Sequence, residues 1–407
     1  MVVNRRRRWV FLLLLPGGLC PLTAPAQIDP VKRDLLQFAY NAALEGHPPL
    51  SAYAFYYRND PEFLRTNLAL RLAVAPTYLD SELGLRQAIG AHTDLGVGLA
   101  GGGFADSYSE IRQGTYYPSE SFTGFGAAAS LSLYHRFNPG QTIPLNGLVR
   151  SLGHYSTWRR DDDTAASFQL PPDRGTFSIR TGLRWGGREP TLFPALAMEL
   201  SGWYEGEFRI GSGTYGYGDR SVVPDSHLFW GQAFLAYTLP EVKHNFALSL
   251  TAGTSVHPDR FSAYRLGALL PLVSEFPLSL PGYYYQELSA RQFLLVSASY
   301  ILPLDHRQRW NLGVAASTAL VDYLPGLEQP GHSHTGLGGG MMYMSPSWKI
   351  MVAYAYGVDA IRSHGRGAHS VGVLVQLDLG QARQAMLGTE PPGRWRGFQR
   401  MLNIFGW

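Results

Sequence analysis

Acidic and histidine side chains gather at a few places along this chain, and these are where chemistry would sit. His154 precedes the run Asp161, Asp162 and Asp163. A carboxylate beside an imidazole can orient it as a general base, although hydrolysis also needs a nucleophile that no spacing here specifies. The plainer reading is an interfacial histidine beside a solvated acidic loop. His332-Ser333-His334 puts two imidazoles on one side of an extended segment, as metal ligation would require. No cysteine or carboxylate adjoins them to complete a coordination shell. Asp359, Arg362, His364 and Arg366 crowd one connection, and Arg159 and Arg160 adjoin the acidic run. Such charges suit a constriction that orients ions or holds anionic headgroups, or simply a loop rim. The Gly-Tyr loop at 215–219 lacks the Lys-Ser/Thr and the strand-to-helix setting of a phosphate cradle. These residues yield no catalytic site, no metal site and no cofactor.

The elements that carry these residues show a two-residue beat. Phe177, Ile179, Leu183 and Trp185 alternate with Ser178, Arg180, Gly182 and Arg184. Phe246, Leu248 and Leu250 alternate with Asn245, Ser249 and Thr251, and Val371, Val373, Val375 and Leu377 follow the same rule. Successive side chains of a strand point to opposite faces, so each segment has one apolar and one polar or small face. Aromatic residues are abundant, with 23 Tyr, 20 Phe and 9 Trp, while only 16% of residues are charged. This composition suits a lipid-facing barrel better than a soluble sandwich, which rarely needs so long a chain.

Residues 1–26 read as a secretory signal. Arg5 to Arg8 form its basic end, Trp9 to Leu15 its short apolar segment, and Ala24-Pro25-Ala26 the small residues before cleavage at Gln27. A barrel crosses the inner membrane unfolded, which implies the general secretory route. Leu19 before Cys20 argues against lipidation. Removing the four signal arginines takes the formal charge from +3 to −1, so no affinity for nucleic acid follows from the basic balance. Cys20 is the only cysteine and would leave with the signal.

The expected fold class is all-β: a transmembrane antiparallel barrel of about 14–16 strands, with a long inward-folded loop and a short N-terminal helix. The helix is expected at 27–46, from the stripe Val31, Leu35, Phe38 and Ala42 and the stop at Gly46. It makes residues 27–49 a periplasmic tether. The barrel is expected over 50–380, with its first clear strand near 67–76 and its last near 368–379. Segments 53–57 and 107–117 are candidates for two further strands. Long connections fall at 105–122, 138–146, 160–173, 210–225 and 257–290. A basic, aromatic tail covers 381–407, with Arg394, Trp395, Arg396 and Trp407 suited to a membrane interface.

The connection at 257–290 is apolar and rich in tyrosine, unlike a loop bathed in water. Its burial place is the lumen. Gly282 would turn the backbone against the wall, and Tyr283, Tyr284 and Tyr285 would pack in a polar interior. Here the chain resembles the Omp85 superfamily of bacterial surface antigen barrels. The residues that carry the resemblance are Leu266-Gly267-Ala268, then Leu280-Pro281-Gly282-Tyr283, then Glu287-Leu288, followed by five strands. The likeness covers about residues 226–380.

The resemblance implies a long loop folded into the lumen, a weak seam between first and last strands, and structural roles for Arg265, Gly267, Gly282, Tyr283 and Glu287. Pro281 stands where that family has an arginine in an ion pair inside the barrel, and Arg265 is the nearby substitute. The family's periplasmic repeats and patatin domain have no counterpart here. The last strand ends in Leu379 where an aromatic residue is usual. The expected role is a reduced Omp85-like barrel in the outer membrane of a Gram-negative cell, placing or translocating polypeptide or lipid. A passive solute pore and a lipid-active enzyme anchored on His154 are the alternatives. Expected partners are outer-membrane lipids, the barrel assembly machinery, periplasmic chaperones and an unidentified client, with no nucleic acid.

Overall fold

The computed structural model describes residues 31–104, 106–187, 195–270 and 276–387. The expected signal at 1–26 and most of the tail, 388–407, lie outside the described residues. Sixteen antiparallel strands form the wall. They are β1 (Arg33–Ala43), β2 (Ala52–Asp60), β3 (Leu68–Val74), β4 (Tyr78–Leu85), β5 (Thr93–Gly102), β6 (Phe122–Arg136), β7 (Leu145–Arg160) and β8 (Arg174–Gly187). The second half holds β9 (Leu196–Ile210), β10 (Asp225–Thr238), β11 (Asn245–Val256), β12 (Leu288–Pro303), β13 (Trp310–Tyr323), β14 (Ser333–Met344), β15 (Trp348–Arg362) and β16 (Gly365–Asp378). Each pairs with its sequence neighbours, and β1 pairs with β16 from Leu35↔Asp378 to Ala43↔Ser370. The sheet is therefore closed. A helix α1 (Leu379–Leu387) follows the last strand. Among the described residues no helix is long and apolar enough to cross a membrane.

The two-residue beat sets the two faces. Phe177, Leu183 and Trp185 of β8, and Phe246, Leu248 and Leu250 of β11, are exposed on the outside. Their polar neighbours line the lumen, where charges on adjacent strands neutralise one another. Arg180 faces Glu205 in the ladder and pairs with it at 2.8 Å. Arg184 meets Glu199 at 2.9 Å, and Arg150 meets Glu82 at 3.1 Å. A lumen residue is thus polar without being an unpaired buried charge. The longer connections, including those after β5, β7, β9 and β11, share one end of the barrel, which by the usual arrangement is the outer end.

Three expectations change. The helix expected at 27–46 is strand β1, and the supposed tether is part of the wall, which begins at Arg33 and not at 50. The same residues carry both periods: Leu36, Phe38 and Tyr40 are exposed outside while Gln37 and Asn41 turn inward. Ladders on both sides of β1 decide between them, because β2 and β16 would otherwise present open edges to lipid. Segment 53–57 lies in β2. Segment 107–117 is not a wall strand; it holds a small hairpin, Ile111–Arg112 with Thr115–Tyr116, above the outer end.

The wall is uneven. β3 and β4 have 7 and 8 residues, below the roughly 9–11 that a tilted strand needs to cross a bilayer. The seam between β1 and β16 runs over nine residue pairs, whereas β2 and β3 share only the five from Tyr56↔Val74 to Asp60↔Leu70. Residues 52–55 pair with β1 but have no ladder partner on the β3 side among the described residues.

Two outcomes test this arrangement. Cα atoms that face each other in an antiparallel ladder are about 4.5–5.5 Å apart, within the span of a disulfide. Oxidising Ala42→Cys with Val371→Cys should therefore link the first and last strands, visible as altered mobility of the denatured chain under non-reducing conditions. Leu250→Arg, on the lipid face near the middle of β11, should destabilise the folded barrel by about 2–4 kcal/mol in urea titrations in lipid. The adjacent Ser249→Arg, turned inward, should have a much smaller effect.

Candidate functional site

The connection from β11 to β12 enters the barrel and crosses it. Its descending arm contains a short strand, Tyr264–Leu266, paired with the start of β12. Gly267 follows with φ +150°, and its N–H donates to the Leu278 carbonyl at 3.0 Å. Beyond it, Leu269 and Leu270 pack against Ala39 of β1 and Leu374 of β16. The Leu270 N–H donates to Asn41 Oδ1 at 3.0 Å. The loop therefore touches the inner face of the closing seam. Phe276 lies on the other side, its ring 5.2 Å from Trp203 of β9 and 5.3 Å from Trp230 of β10. In a ring of sixteen strands, β9 and β10 stand opposite β1 and β2. One loop thus reaches both sides of the lumen.

The returning arm docks on β14 and β15. Gly336 and Gly357 face each other in that ladder and leave a gap in the side-chain layer. Pro281 and Gly282 fill it so closely that a Cβ on Gly336 would strike the Pro281 carbonyl, and one on Gly282 the Gly357 backbone. Gly282 also has φ +85°, so a side chain there is excluded twice. Tyr283 is buried beside it, with its hydroxyl 3.2 Å from His334 Nδ1. Burial pushes the Tyr283 hydroxyl well above the ordinary phenol range, so it stays a neutral hydrogen-bonding group. His334 Nε2 meets the Tyr323 hydroxyl.

Glu287 closes the arm. Its two oxygens accept from Arg362 Nη1 and Nη2 at 2.9 Å each, and the two side chains are 0% and 1% exposed. Glu287 Oε2 also accepts from the Tyr284 N–H at 2.7 Å, which holds the turn beneath the pair. The Arg362 guanidinium lies 3.7 Å over the Tyr284 ring. The Tyr284 hydroxyl donates to the Glu45 carbonyl at 2.8 Å, and the Glu45 carboxylate accepts from the His369 N–H at 2.6 Å. These bonds tie the loop to the outer end of the seam.

Four of the five expected loop residues therefore converge: Gly267, Gly282, Tyr283 and Glu287. Arg265 does not take the role suggested for it. Its guanidinium donates to the Ser109 carbonyl at 2.9 Å and to Gln286 Oε1 at 3.3 Å, and meets no carboxylate. The ion pair is formed instead by Arg362 of the wall with Glu287 of the loop. Arg362 was visible in the sequence only as one member of a charged crowd. Gly336 and Gly357 went unnoticed, although the run Gly338, Gly339 and Gly340 marks β14 as a place of close backbone approach.

The other clusters separate. His154 Nε2 lies 2.7 Å from Asp106 Oδ2, and Asp161 accepts instead from Thr123. Among the described residues no serine or threonine hydroxyl is hydrogen-bonded to His154. His332 Nδ1 bonds the Val321 carbonyl while His334 lies between two tyrosines, so the two imidazoles do not converge. No group of three potential metal ligands occurs among the described residues. Asp359 accepts from the Thr335 N–H at 2.9 Å, and Arg160 donates to the Ala165 carbonyl at 2.6 Å.

Above the loop, the outer end is capped. Tyr108, Phe122, Trp158, Phe168, Tyr215 and Val222 form an apolar cluster with Phe261 against it. Buried Glu110 meets Arg260 at 3.3 Å and Arg220 at 3.5 Å, and Arg220 also pairs with Glu120. Three connections, those after β5, β9 and β11, are joined by these charges.

Glu287→Ala leaves Arg362 buried without its counter-ion and should cost about 3–5 kcal/mol in denaturant titrations. Adding Arg362→Leu to it should restore part of that loss, since the stranded charge is then gone. Gly282→Ala should free the returning arm and expose residues near Pro281 to added protease while the wall remains folded.

No family model matches the chain, and no curated protein matches it. Solved structures do. CdiB from Acinetobacter baumannii aligns over 85% of this chain and 60% of its own length, with TM-score 0.56 and 12% identity. CdiB from Escherichia coli gives TM-score 0.57 and 11% identity over 84% of this chain and 63% of its own. BamA from Haemophilus ducreyi lacking POTRA domains 1–3 gives TM-score 0.54 and 12% identity over 84% of this chain and 70% of its own. The chain thus spans about three fifths of the length of the CdiB structures it resembles. With sixteen strands and a loop docked in the lumen, the chain has the β-barrel fold seen in these CdiB and BamA structures.

Proposed function

We propose that this barrel places or moves polypeptide or lipid at the outer membrane by transient opening of its wall, and not by conducting solutes along its axis. The observation that carries the reading is the loop anchored on opposite sides of the lumen, at Asn41 and Leu374 on one side and Trp203 and Trp230 on the other. A passive pore needs a continuous water path, which that loop and the outer cap obstruct. The wall offers another route. The β2–β3 ladder has only five pairs, and among the described residues, 52–55 have no partner on the β3 side, the kind of template to which an extended chain adds. The likeness to CdiB and BamA, both Omp85 translocators, supports the same reading. The protein acts without a catalytic step of its own. It arrives by the general secretory route, with the barrel assembly machinery and periplasmic chaperones as partners in biogenesis and outer-membrane lipids as its surroundings.

In planar bilayers the purified chain should show small, rare openings; a steady large conductance would favour the solute channel. Two cysteine pairs probe the wall: Ala42→Cys with Val371→Cys across the seam, and Tyr56→Cys with Val74→Cys between β2 and β3. In cells lacking the native gene, oxidised double variants should fail to restore envelope integrity and reduced ones should restore it. Full restoration by both locked forms would exclude a moving wall.

A further inference from the structure

A chamber of about 350 Å³ lies between the outer cap and the wall, bounded by β7, β8, β9 and the two connections that follow β5 and β11. Asp106, His154 and Glu207 keep roughly a fifth of their side chains exposed, so the chamber is open to water. Each of its carboxylates has a side-chain partner. Asp106 meets His154, Glu205 meets Arg180, and Glu207 meets Arg209. Among the described residues its cations do not all have a carboxylate within ion-pair distance; the nearest to Arg174, Asp259 and Glu207, pair with Arg209 instead.

Arg174, the first residue of β8, is 5% exposed and lines the chamber. Its guanidinium is held between the rings of Trp158 and Phe261, at 4.8 and 4.3 Å. Among the described residues Nε and Nη1 have no hydrogen-bond partner. Asp173, its neighbour in sequence, accepts from the Trp158 N–H instead. Arg265 lies 4.6 Å over the Tyr108 ring with its Nε also unpartnered, and it too lines the chamber. The rings connect the two arginines, since Phe261 is 5.8 Å from both Trp158 and Tyr108. Ring faces attract a guanidinium, but by less than desolvating it costs. The missing element is an anion.

We propose that this chamber binds a small organic monocarboxylate, with Arg174 as its principal cation and Arg265 as the second. A guanidinium fork matches a carboxylate with two parallel hydrogen bonds. Glu205 and Glu207 line the same chamber, so a second negative charge on the ligand is repelled. Trp158, Phe261 and Tyr108 suit a flat apolar body behind the carboxylate. The site is independent of wall opening, because it lies among residues of the cap and of β7–β9.

Calorimetric titration of the full, detergent-purified chain with benzoate tests it, with the uncharged isostere benzamide and inorganic phosphate as comparisons. Saturable binding of one benzoate per chain is expected, with no binding of benzamide and weaker binding of phosphate. Arg174→Gln should weaken benzoate by about tenfold or more, and Arg174→Lys by less. Arg265→Gln is the second variant, expected to weaken it by a smaller factor; Arg291→Gln, on the rim opposite Asp322, should change nothing. Absence of saturable benzoate binding, equal binding of benzamide, or unchanged affinity in both Arg174→Gln and Arg265→Gln would overturn the proposal.

Discussion

In hydrocarbon an unpaired peptide group has no water to turn to, so a sheet that crosses a membrane must have no free edge. The pairing of β1 with β16 is how this chain meets that constraint. Everything else follows from the resulting ring. Alternation along each strand becomes an outside and an inside, connections divide into two ends, and an interior appears that must be filled or left wet. The constraint also accounts for Leu36, Phe38 and Tyr40 facing out from a segment whose sequence equally fits a helix. A helix there would leave two wall strands with open edges.

The interior is polar but not empty, and two devices keep its charges affordable. Neighbouring strands supply opposite charges at matching heights, as with Arg180 and Glu205. Where the loop meets the wall, Arg362 donates two hydrogen bonds to the Glu287 carboxylate within a closed environment. A buried pair of this kind contributes little net stability relative to apolar residues of the same shape, but losing one partner strands a buried charge. With the glycine gap of Gly336 and Gly357 it specifies where the loop sits more than how tightly the barrel holds together.

The chamber under the cap breaks this rule. Arg174 is as enclosed as Arg362 but has rings where Arg362 has a carboxylate. The lumen thus holds two separate devices, a loop with contacts on both of its sides and a charged recess beside it. The short ladders around β3 form a third region, remote from the chamber in the wall order, where the sheet has the least backbone pairing to lose.

Much of the wall was legible in the sequence because period-two polarity is a local property: Phe246, Leu248 and Leu250 declare their face without knowledge of any neighbour. The inward loop was legible for the same reason, since a connection carrying three tyrosines and many leucines cannot stay in water. Gly282, Tyr283 and Glu287 stood out by type and order. Partnership was not legible. Glu287 and Arg362 are 75 residues apart, and only the docking of the returning arm on β14 and β15 makes them a pair. Asp106 and His154, 48 residues apart, meet for a similar reason, while the nearer Asp161 turns to Thr123. Whether residues 33–43 form a helix or a strand was likewise settled by β2 and β16. Polarity and period reside in the chain itself; which groups meet, and which arginine is left without a counter-ion, depends on the closure of the sheet.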